Sequence, residues 1–131
     1  MKKLNSYFII LFVGMILSCV HTLPKETPEI LTATYKIKTY SETEKGYEVY
    51  LTLKNVMETT TVKGVVLKNK YFENIELKHL EGNNYFVEQY FPVNSQTIIN
   101  FETPKSDSRK DGIIFEISGI EKFKEINFKL K

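Results

Sequence analysis

The stretch that decides the fold is LTATYKIK, residues 31–38, which a polar turn joins to YEVYLTLK, residues 47–54. In both segments an apolar or aromatic residue occupies every second position, and most residues between them are threonine, lysine or glutamate. Because successive side chains of a strand point to opposite faces of a sheet, this alternation predicts two strands, each buried on one face. The turn between them is predicted at residues 41–46.

Six further strands are predicted downstream, most of them bounded by glycine, proline, asparagine or a polar run. Gly64 in the third strand predicts a bulge or a close approach of another backbone. Pro92 has no amide proton to donate, so it ends the fifth strand or marks a sheet edge. The predicted strands lie at residues 62–68, 71–80, 85–93, 97–102, 113–117 and 123–130.

The sequence EGNN, residues 81–84, predicts a hairpin between the fourth and fifth strands. A three-residue loop, residues 82–84, is preferred to a two-residue turn because it gathers apolar residues on one face. That face comprises Ile75, Leu77 and His79 of one strand with Tyr85, Val87 and Phe91 of the other.

The later strands are expected to turn two sets of apolar residues inward, Ile99 with Phe101 and Ile126 with Phe128 and Leu130. Residues 103–111 are polar and predict a mobile loop. Eight short strands at roughly regular spacing predict an all-β fold, an antiparallel two-layer β-sandwich of immunoglobulin-like or transthyretin-like type. A small lipid-carrying barrel is the alternative architecture.

The N-terminus has the layout of a secretory signal peptide. Lys2 and Lys3 precede an apolar run over residues 7–17, and small residues follow it. The run is about eleven residues long, whereas a lasting transmembrane helix needs roughly twenty. A cleaved or processed signal is therefore favoured over a permanent membrane anchor.

The end of that signal, Ile16-Leu17-Ser18-Cys19, resembles the lipobox of bacterial lipoproteins. The resemblance covers this segment alone and implies a lipid on the Cys19 thiol, with cleavage between Ser18 and Cys19. Two or more acyl chains are enough for stable anchoring. The alternative is that Cys19 is an ordinary residue of a signal that is cut nearby.

The resemblance, the proline-containing segment after it and the strand pattern together divide the chain into a signal peptide (1–18), a lipidated Cys19 with an extended tether (19–29) and one β-sandwich domain (30–131). Pro24 and Pro28 keep the tether extended, although an irregular edge strand is the alternative there. In diderm lipoproteins an aspartate after the cysteine resembles an inner-membrane retention signal. Val20 stands in that position, which implies the outer membrane. No acidic run follows Cys19 either, which favours the periplasmic leaflet over the cell surface.

Charge excludes one class of partner. Eighteen basic residues face sixteen acidic ones in the whole chain, and two of the basic ones are Lys2 and Lys3. The part after residue 18 is therefore neutral, with no basic excess to neutralise nucleic-acid phosphates. Cys19 is the single cysteine, so no intramolecular disulfide can form.

The sequence gives no sign of catalysis, and no cofactor is expected. His21 lies in the tether and His79 beside a turn, so a base paired with a nucleophile is not indicated. Asp107 and Asp111, with Ser106 and Ser108, could offer oxygen ligands to a cation. Lysine and arginine side chains are interleaved with them, however, so a solvated loop is favoured and no metal site is predicted.

Six aromatic residues form the one candidate binding surface: Tyr71, Phe72, Tyr85, Phe86, Tyr90 and Phe91. Alternation places Phe86 and Tyr90 on the face opposite Tyr85 and Phe91. The functional hypothesis is that Phe86 and Tyr90 contact a protein or glycan partner. The alternative is ordinary aromatic packing in a strand that is covered on both faces.

Together these patterns predict a non-enzymatic, lipid-anchored envelope β-sandwich that binds or scaffolds another envelope protein. In size and layout the chain is similar to small sandwich lipoproteins of secretion machines, such as the outer-membrane lipoprotein of type VI secretion, a similarity of architecture only. The alternative is a periplasmic ligand-binding module or an inhibitor of immunity-protein type. A closed, packed core favours the first hypothesis, and a cavity lined by several aromatic rings favours the second.

Overall fold

The structure, a computed structural model, describes residues 27–131. The predicted signal peptide, Cys19 and most of the predicted tether lie outside the described residues. Residues 27–131 form ten strands and no helix, so this part of the chain contains no helix capable of crossing a membrane. The strands are β1 (Glu29–Ser41), β2 (Glu44–Lys54), β3 (Thr60–Leu67), β4 (Lys70–Phe72), β5 (Lys78–His79), β6 (Tyr85–Asn94), β7 (Lys105–Ser106), β8 (Gly112–Ile117), β9 (Ile120–Glu125) and β10 (Lys129–Leu130).

The strands form two five-stranded sheets. Sheet A has the order β10-β1-β2-β6-β5, and sheet B has the order β7-β4-β3-β8-β9. Every pair is antiparallel except β1 and β10, which are parallel. The predicted all-β class and two-layer arrangement are confirmed, with ten strands in place of about eight.

The core lies between the two sheets and is closely filled. Val49 and Leu53 of β2 face Val65 of β3 and Ile113 and Phe115 of β8, and all five are completely buried. Alternation along β2 delivers its apolar set to this side, as the sequence predicts. Burial of side chains of this size stabilises the fold by roughly 1.5–3 kcal/mol each.

The hairpin of β1 and β2 confirms the stretch on which the fold prediction rests. Its turn is shorter than predicted, because Ser41 already pairs with Glu44. The register of β3 and β8 shifts between Val62 and Gly64, which confirms the bulge that Gly64 predicts. Pro92 pairs within β6, which has no strand partner on its other side at that point. Pro92 therefore marks an edge and does not end the strand.

The predicted strand at residues 71–80 is wrong. It is divided into β4 in sheet B and β5 in sheet A, and the chain crosses between the sheets. Asn74 adopts a positive φ of 59°, which no strand accommodates. The Gln89 side chain replaces the missing ladder, since its Nε2 donates to Asn74 O at 2.9 Å and its Oε1 accepts from Glu76 N at 3.0 Å.

The predicted three-residue hairpin loop is also wrong in length. His79 pairs with Tyr85, so five residues, 80–84, separate the paired positions. Within that loop Leu80 N donates to Asn84 O at 2.9 Å and Asn84 N donates to Glu81 O at 3.0 Å. The register differs by two residues, so the predicted face is correct: His79 and Tyr85 lie together, with ring centroids 5.1 Å apart.

The predicted sixth strand at residues 97–102 does not form. The Glu44 carboxylate accepts hydrogen bonds from Ser95 Oγ at 2.8 Å, Gln96 N at 3.2 Å and Thr97 Oγ1 at 3.2 Å. These bonds fix a turn in place of a strand. Ile99, predicted to face inward, is 88% exposed, and Phe101 is half-buried.

The predicted last strand at residues 123–130 is divided as well. Its first part belongs to β9 in sheet B, and its end, β10, pairs with β1 in sheet A. Ile126 and Phe128 are buried where the chain crosses, as predicted, whereas Leu130 is 61% exposed. The predicted loop at residues 103–111 contains β7, which pairs with β4.

Candidate functional site

The candidate partner residues Phe86 and Tyr90 lie on the side of sheet A that faces away from sheet B. This surface extends from the Thr32–Thr52 pair at one end to the Lys38–Gly46 pair at the other. We call it the outer face of sheet A. It carries the outward positions of β1, β2, β6 and β5 together with the C-terminal residues beside β1, as the register shows. The outward residues are Thr32, Thr34, Lys36, Lys38, Glu48, Tyr50, Thr52, Lys78, Phe86, Glu88, Tyr90, Lys129 and Lys131.

Phe86 is half-buried between two neighbours. It pairs with Thr52 of β2 on one side and with Lys78 of β5 on the other. The Lys78 ammonium lies 5.8 Å from the centre of the Phe86 ring, a cation–π distance. The Lys78 ammonium therefore lies over the ring of Phe86, and sheet B does not cover this residue.

Tyr90 lies four residues further along β6, so roughly 13 Å separates it from Phe86. The Tyr90 ring lies over Gly46, where any Cβ would overlap the ring and the neighbouring backbone. Tyr40 packs edge-on against it, with centroids 6.0 Å apart. Phe86 and Tyr90 are therefore not in contact, and Glu88 lies between them.

The Tyr90 hydroxyl is an exception to normal polar pairing. It is buried and has no hydrogen-bond partner within residues 27–131. Burial, together with the nearby Glu44 carboxylate and Tyr40, raises the pKa of this hydroxyl above its ordinary value. At neutral pH the Tyr90 hydroxyl therefore stays protonated, as a buried O–H donor without an acceptor in this part of the chain.

A third ring, which sequence reasoning missed, lies between them. Tyr50 of β2 pairs with Glu88, and two ammonium groups lie over its ring, Lys131 at 4.9 Å and Lys36 at 5.9 Å from the centroid. One feature of the sequence could have indicated Tyr50, since it is an aromatic residue at an outward position of β2. The contact with Lys131 depends on the parallel pairing of β10, which local sequence does not reveal.

The six aromatic residues predicted as one cluster are divided among three places. Phe72 and Phe91 stack in the core with centroids 4.9 Å apart, and Tyr85 packs against the core. Tyr71 lies on the opposite side of the molecule, on sheet B. Phe86 and Tyr90 alone reach the outer face of sheet A. The alternative hypothesis of ordinary packing therefore holds for Phe72 and Phe91.

The outer face of sheet B differs from that of sheet A, because it carries buried apolar residues. It is formed by the outward positions of β7, β4, β3, β8 and β9 with Arg109 and Lys110. Val66 and Ile114 are buried there although they face away from the core. Tyr71 lies over Gly64, and Phe123 lies over Gly112, close enough that a Cβ on either glycine would overlap the ring.

The charges on the outer face of sheet B pair with each other. Arg109 forms an ion pair with Asp107 at 2.7 Å, and Lys110 forms one with Glu125 at 3.7 Å. Lys63 pairs with Glu121 and, at 3.8 Å, with Glu116. These contacts lower the pKa of Asp107, chiefly through the Arg109 side chain, and that of Glu121, through Lys63.

The residues considered for chemistry have structural partners. His79 Nε2 donates to Gly82 O at 2.8 Å, which holds the hairpin loop. The Asp107 carboxylate accepts hydrogen bonds from Arg109, and Asp111 Oδ1 accepts one from Lys68 N at 2.9 Å. Within residues 27–131 no group of three or more histidine, cysteine, aspartate or glutamate residues could hold a metal ion.

A groove runs along one side of the sandwich, between β6 and the edge of sheet B. Its volume is ≈ 390 Å³. Five aromatic residues contribute to its walls, with Glu73, Glu102 and Lys105 at its rim: Tyr71, Phe72, Tyr90, Phe91 and Phe101. The groove is open to solvent, and the core beside it is filled.

The chain has no significant match to a protein-family model, to a curated protein or to a solved structure.

Proposed function

We propose that this chain is a lipid-anchored, non-enzymatic protein of the bacterial cell envelope that binds another envelope protein through the outer face of sheet A. One observation carries the binding part of the proposal. Phe86 and Tyr90, with Tyr50 between them, present aromatic surface on a sheet face that sheet B leaves uncovered. Aromatic side chains are enriched among the residues that dominate protein binding.

The packed core supports a binding role over the carriage of an apolar ligand inside the sandwich. Leu67 and Phe115 are completely buried in one continuous cluster with their neighbours. The anchoring part of the proposal rests on the segment Ile16-Leu17-Ser18-Cys19. Nine residues lie between Cys19 and the start of β1 at Glu29, so ten Cα–Cα steps join the two, and an extended segment of that length spans at most about 33–36 Å.

Replacement of Cys19 tests the anchor. Cys19→Ser is expected to leave an uncleaved precursor without lipid, because a hydroxyl does not replace the thiolate as the lipid acceptor. Labelling with a palmitate analogue measures this directly. Ser18→Ala, which keeps a small residue before the cysteine, is the matched control and is expected to retain the label. A label that persists in Cys19→Ser excludes the lipoprotein assignment.

The proposed location is the outer membrane, because Val20 is not an aspartate, and the periplasmic leaflet of that membrane, because no acidic run follows Cys19. Protease added to intact cells is then expected to leave the protein whole, and protease added after the outer membrane is permeabilised is expected to degrade it. Degradation on intact cells places the protein at the cell surface instead.

The binding surface is tested by affinity capture from detergent-solubilised membranes with the full chain as bait. Phe86→Ala and Tyr90→Ala are each expected to weaken capture of the same partner by at least tenfold, since an aromatic anchor carries about 2 kcal/mol or more. Phe123→Ala, on the outer face of sheet B, is the matched control. Equal capture by all variants contradicts the assignment of the surface.

The groove supports a second candidate function, that of a ligand-binding module. Its aromatic walls could hold a small apolar group, and Lys105 could pair with an anionic one. Phe101→Ala removes a groove residue that belongs neither to the core cluster nor to the outer face of sheet A. If ligand binding is the function, this change abolishes retention of a native ligand, detected by mass spectrometry of the purified protein, and leaves partner capture unchanged.

A further inference from the structure

The outer face of sheet A carries an excess of positive charge, unlike the outer face of sheet B. Two glutamates, Glu48 and Glu88, face five lysines on it. The lysines are Lys36, Lys38, Lys78, Lys129 and Lys131. Of the two glutamates, Glu48 already accepts an ion pair from Lys38 at 3.4 Å.

Three of the remaining four lysines have aromatic partners instead of acidic ones. Lys36 and Lys131 lie over the Tyr50 ring, and Lys78 lies over the Phe86 ring. A ring holds an ammonium group in place without neutralising its charge. The face therefore presents aromatic surface with positioned, uncompensated cations around it.

From this arrangement we infer that the partner that docks on the outer face of sheet A is a protein with an acidic docking surface. The inference rests on the proposed function and adds the partner's chemistry. Complementary charge fixes orientation and suppresses wrong partners, while buried rings supply most of the affinity. The outer face of sheet A has both elements, because Lys36 and Lys131 lie beside Tyr50 and Lys78 lies beside Phe86.

The charges on the outer face of sheet B provide a comparison for the excess of lysine on sheet A. There Lys63, Lys105, Arg109 and Lys110 lie near four acids, and three of the four bases have an acidic partner within the chain. The acids are Asp107, beside β7, and Glu116, Glu121 and Glu125. A face whose charges are satisfied internally offers little to an acidic partner. Both faces belong to the same folded domain, so the second is an internal control for the first.

The test uses photocrosslinking of the full chain in the cells that produce it. A photoreactive p-benzoylphenylalanine replaces Thr34 or Thr52 on the outer face of sheet A, or Thr61 on the outer face of sheet B. The charge-reversed pair Lys36→Glu with Lys131→Glu is then added to each variant. Lys105→Glu is the control reversal, because Lys105 lies on the outer face of sheet B.

The expected result is one protein adduct from positions 34 and 52, absent from position 61, whose crosslinked segment in the partner is rich in aspartate and glutamate. The double reversal should lower the adduct yield about tenfold, and Lys105→Glu should not change it. With the purified partner, the affinity should also fall as salt rises, because the pairs at the periphery are screened.

Other outcomes separate the two proposals. An adduct that is insensitive to the double reversal and to salt overturns the acidic partner and leaves the proposed function standing. An adduct with phospholipid in place of protein shows that the face lies on a membrane and overturns the inference. If positions 34 and 52 give no adduct while the chain is folded and exported, both proposals for this face are wrong.

Discussion

The two outer faces of this sandwich carry similar residue types and use them in opposite ways. On sheet B, Tyr71 and Phe123 cover glycines and shield Val66 and Ile114, and the charged residues pair with one another. On sheet A, lysines lie over Tyr50 and Phe86, and four of the five lysines have no acidic partner within residues 27–131. Composition alone would not separate the faces.

The comparison shows that an aromatic residue on a sheet face is not by itself a sign of binding. Tyr71 covers a small second core, formed by Val66 and Ile114. Its ring packs over Gly64, and its hydroxyl donates a hydrogen bond to Lys63 O at 3.4 Å. Tyr50 has no comparable apolar layer beneath it, because its register partners are Thr34 and Glu88. What lies under a ring decides whether the ring is structural.

The largest expected loss of stability comes from a substitution in the buried layer on the outer face of sheet B. Ile114→Ala should lower the free energy of unfolding by about 2–5 kcal/mol, as for a core isoleucine, although Ile114 faces away from the main core. Chemical denaturation measures the change. Ile99→Ala, at a position that is 88% exposed, is the control and should be close to neutral. A neutral Ile114→Ala would mean that the rings do not close a second core.

Two glycines beneath rings sharpen the comparison. Gly46→Ala should cost about 3 kcal/mol, because its Cβ would overlap the Phe91 carbonyl and Pro92 as well as the Tyr90 ring. Gly64→Ala should cost about 1 kcal/mol, because the atoms nearest to the new Cβ all belong to the Tyr71 side chain, which can shift more easily than backbone. Thermal melts of the two variants compare them directly. The reverse order would show that the Tyr71 ring is held more rigidly than the backbone of β6.

A smaller effect on stability is expected for Phe86 on the outer face of sheet A. Phe86→Ala should lower the free energy of unfolding by about 1 kcal/mol or less, because the ring is only half-buried. A core phenylalanine would cost about 3–5 kcal/mol. A large fall in melting temperature for this variant would place Phe86 in the structural class with Tyr71 and remove it from the candidate surface.

The smallest effect concerns pH. The pKa of Asp107 is lowered by its bonds to Arg109, so its contribution to stability is present above the ordinary pKa of an aspartate and is lost as the pH falls through the lowered pKa. Melting temperature should therefore decline on acidification, and Arg109→Gln should reduce that decline. Lys36→Gln, whose ammonium lies over Tyr50, should leave the acid dependence unchanged. Identical profiles for Arg109→Gln and the wild type would contradict the pairing.

Much of the fold could be predicted from local pattern. Strands β1, β2, β3, β6 and β8 appear where alternation indicates them, and the bulge at Gly64 and the edge at Pro92 follow from single residues. The errors share one cause. Each predicted strand that fails contains a crossing or a turn held by a distant group, such as Gln89 for Asn74 and Glu44 for Thr97.

The candidate site was predicted only in part. Phe86 and Tyr90 were placed on a common face, because a strand fixes that relation within four residues. Tyr50 and the lysines around it were missed, since they come from β1, β2 and the end of the chain. Whether these rings bind a partner stays a prediction.

The sequence by itself determined the β class and which residues of a strand share a face, because the two-residue period is a local property of the backbone. The tertiary structure decided which of those faces is covered. That choice depends on pairings such as Thr34 with Lys129, which lie far apart in the chain and leave no mark on the local pattern. It also depends on where the chain crosses from one sheet to the other, since the energy of burial is set by what packs on a face and not by the face itself.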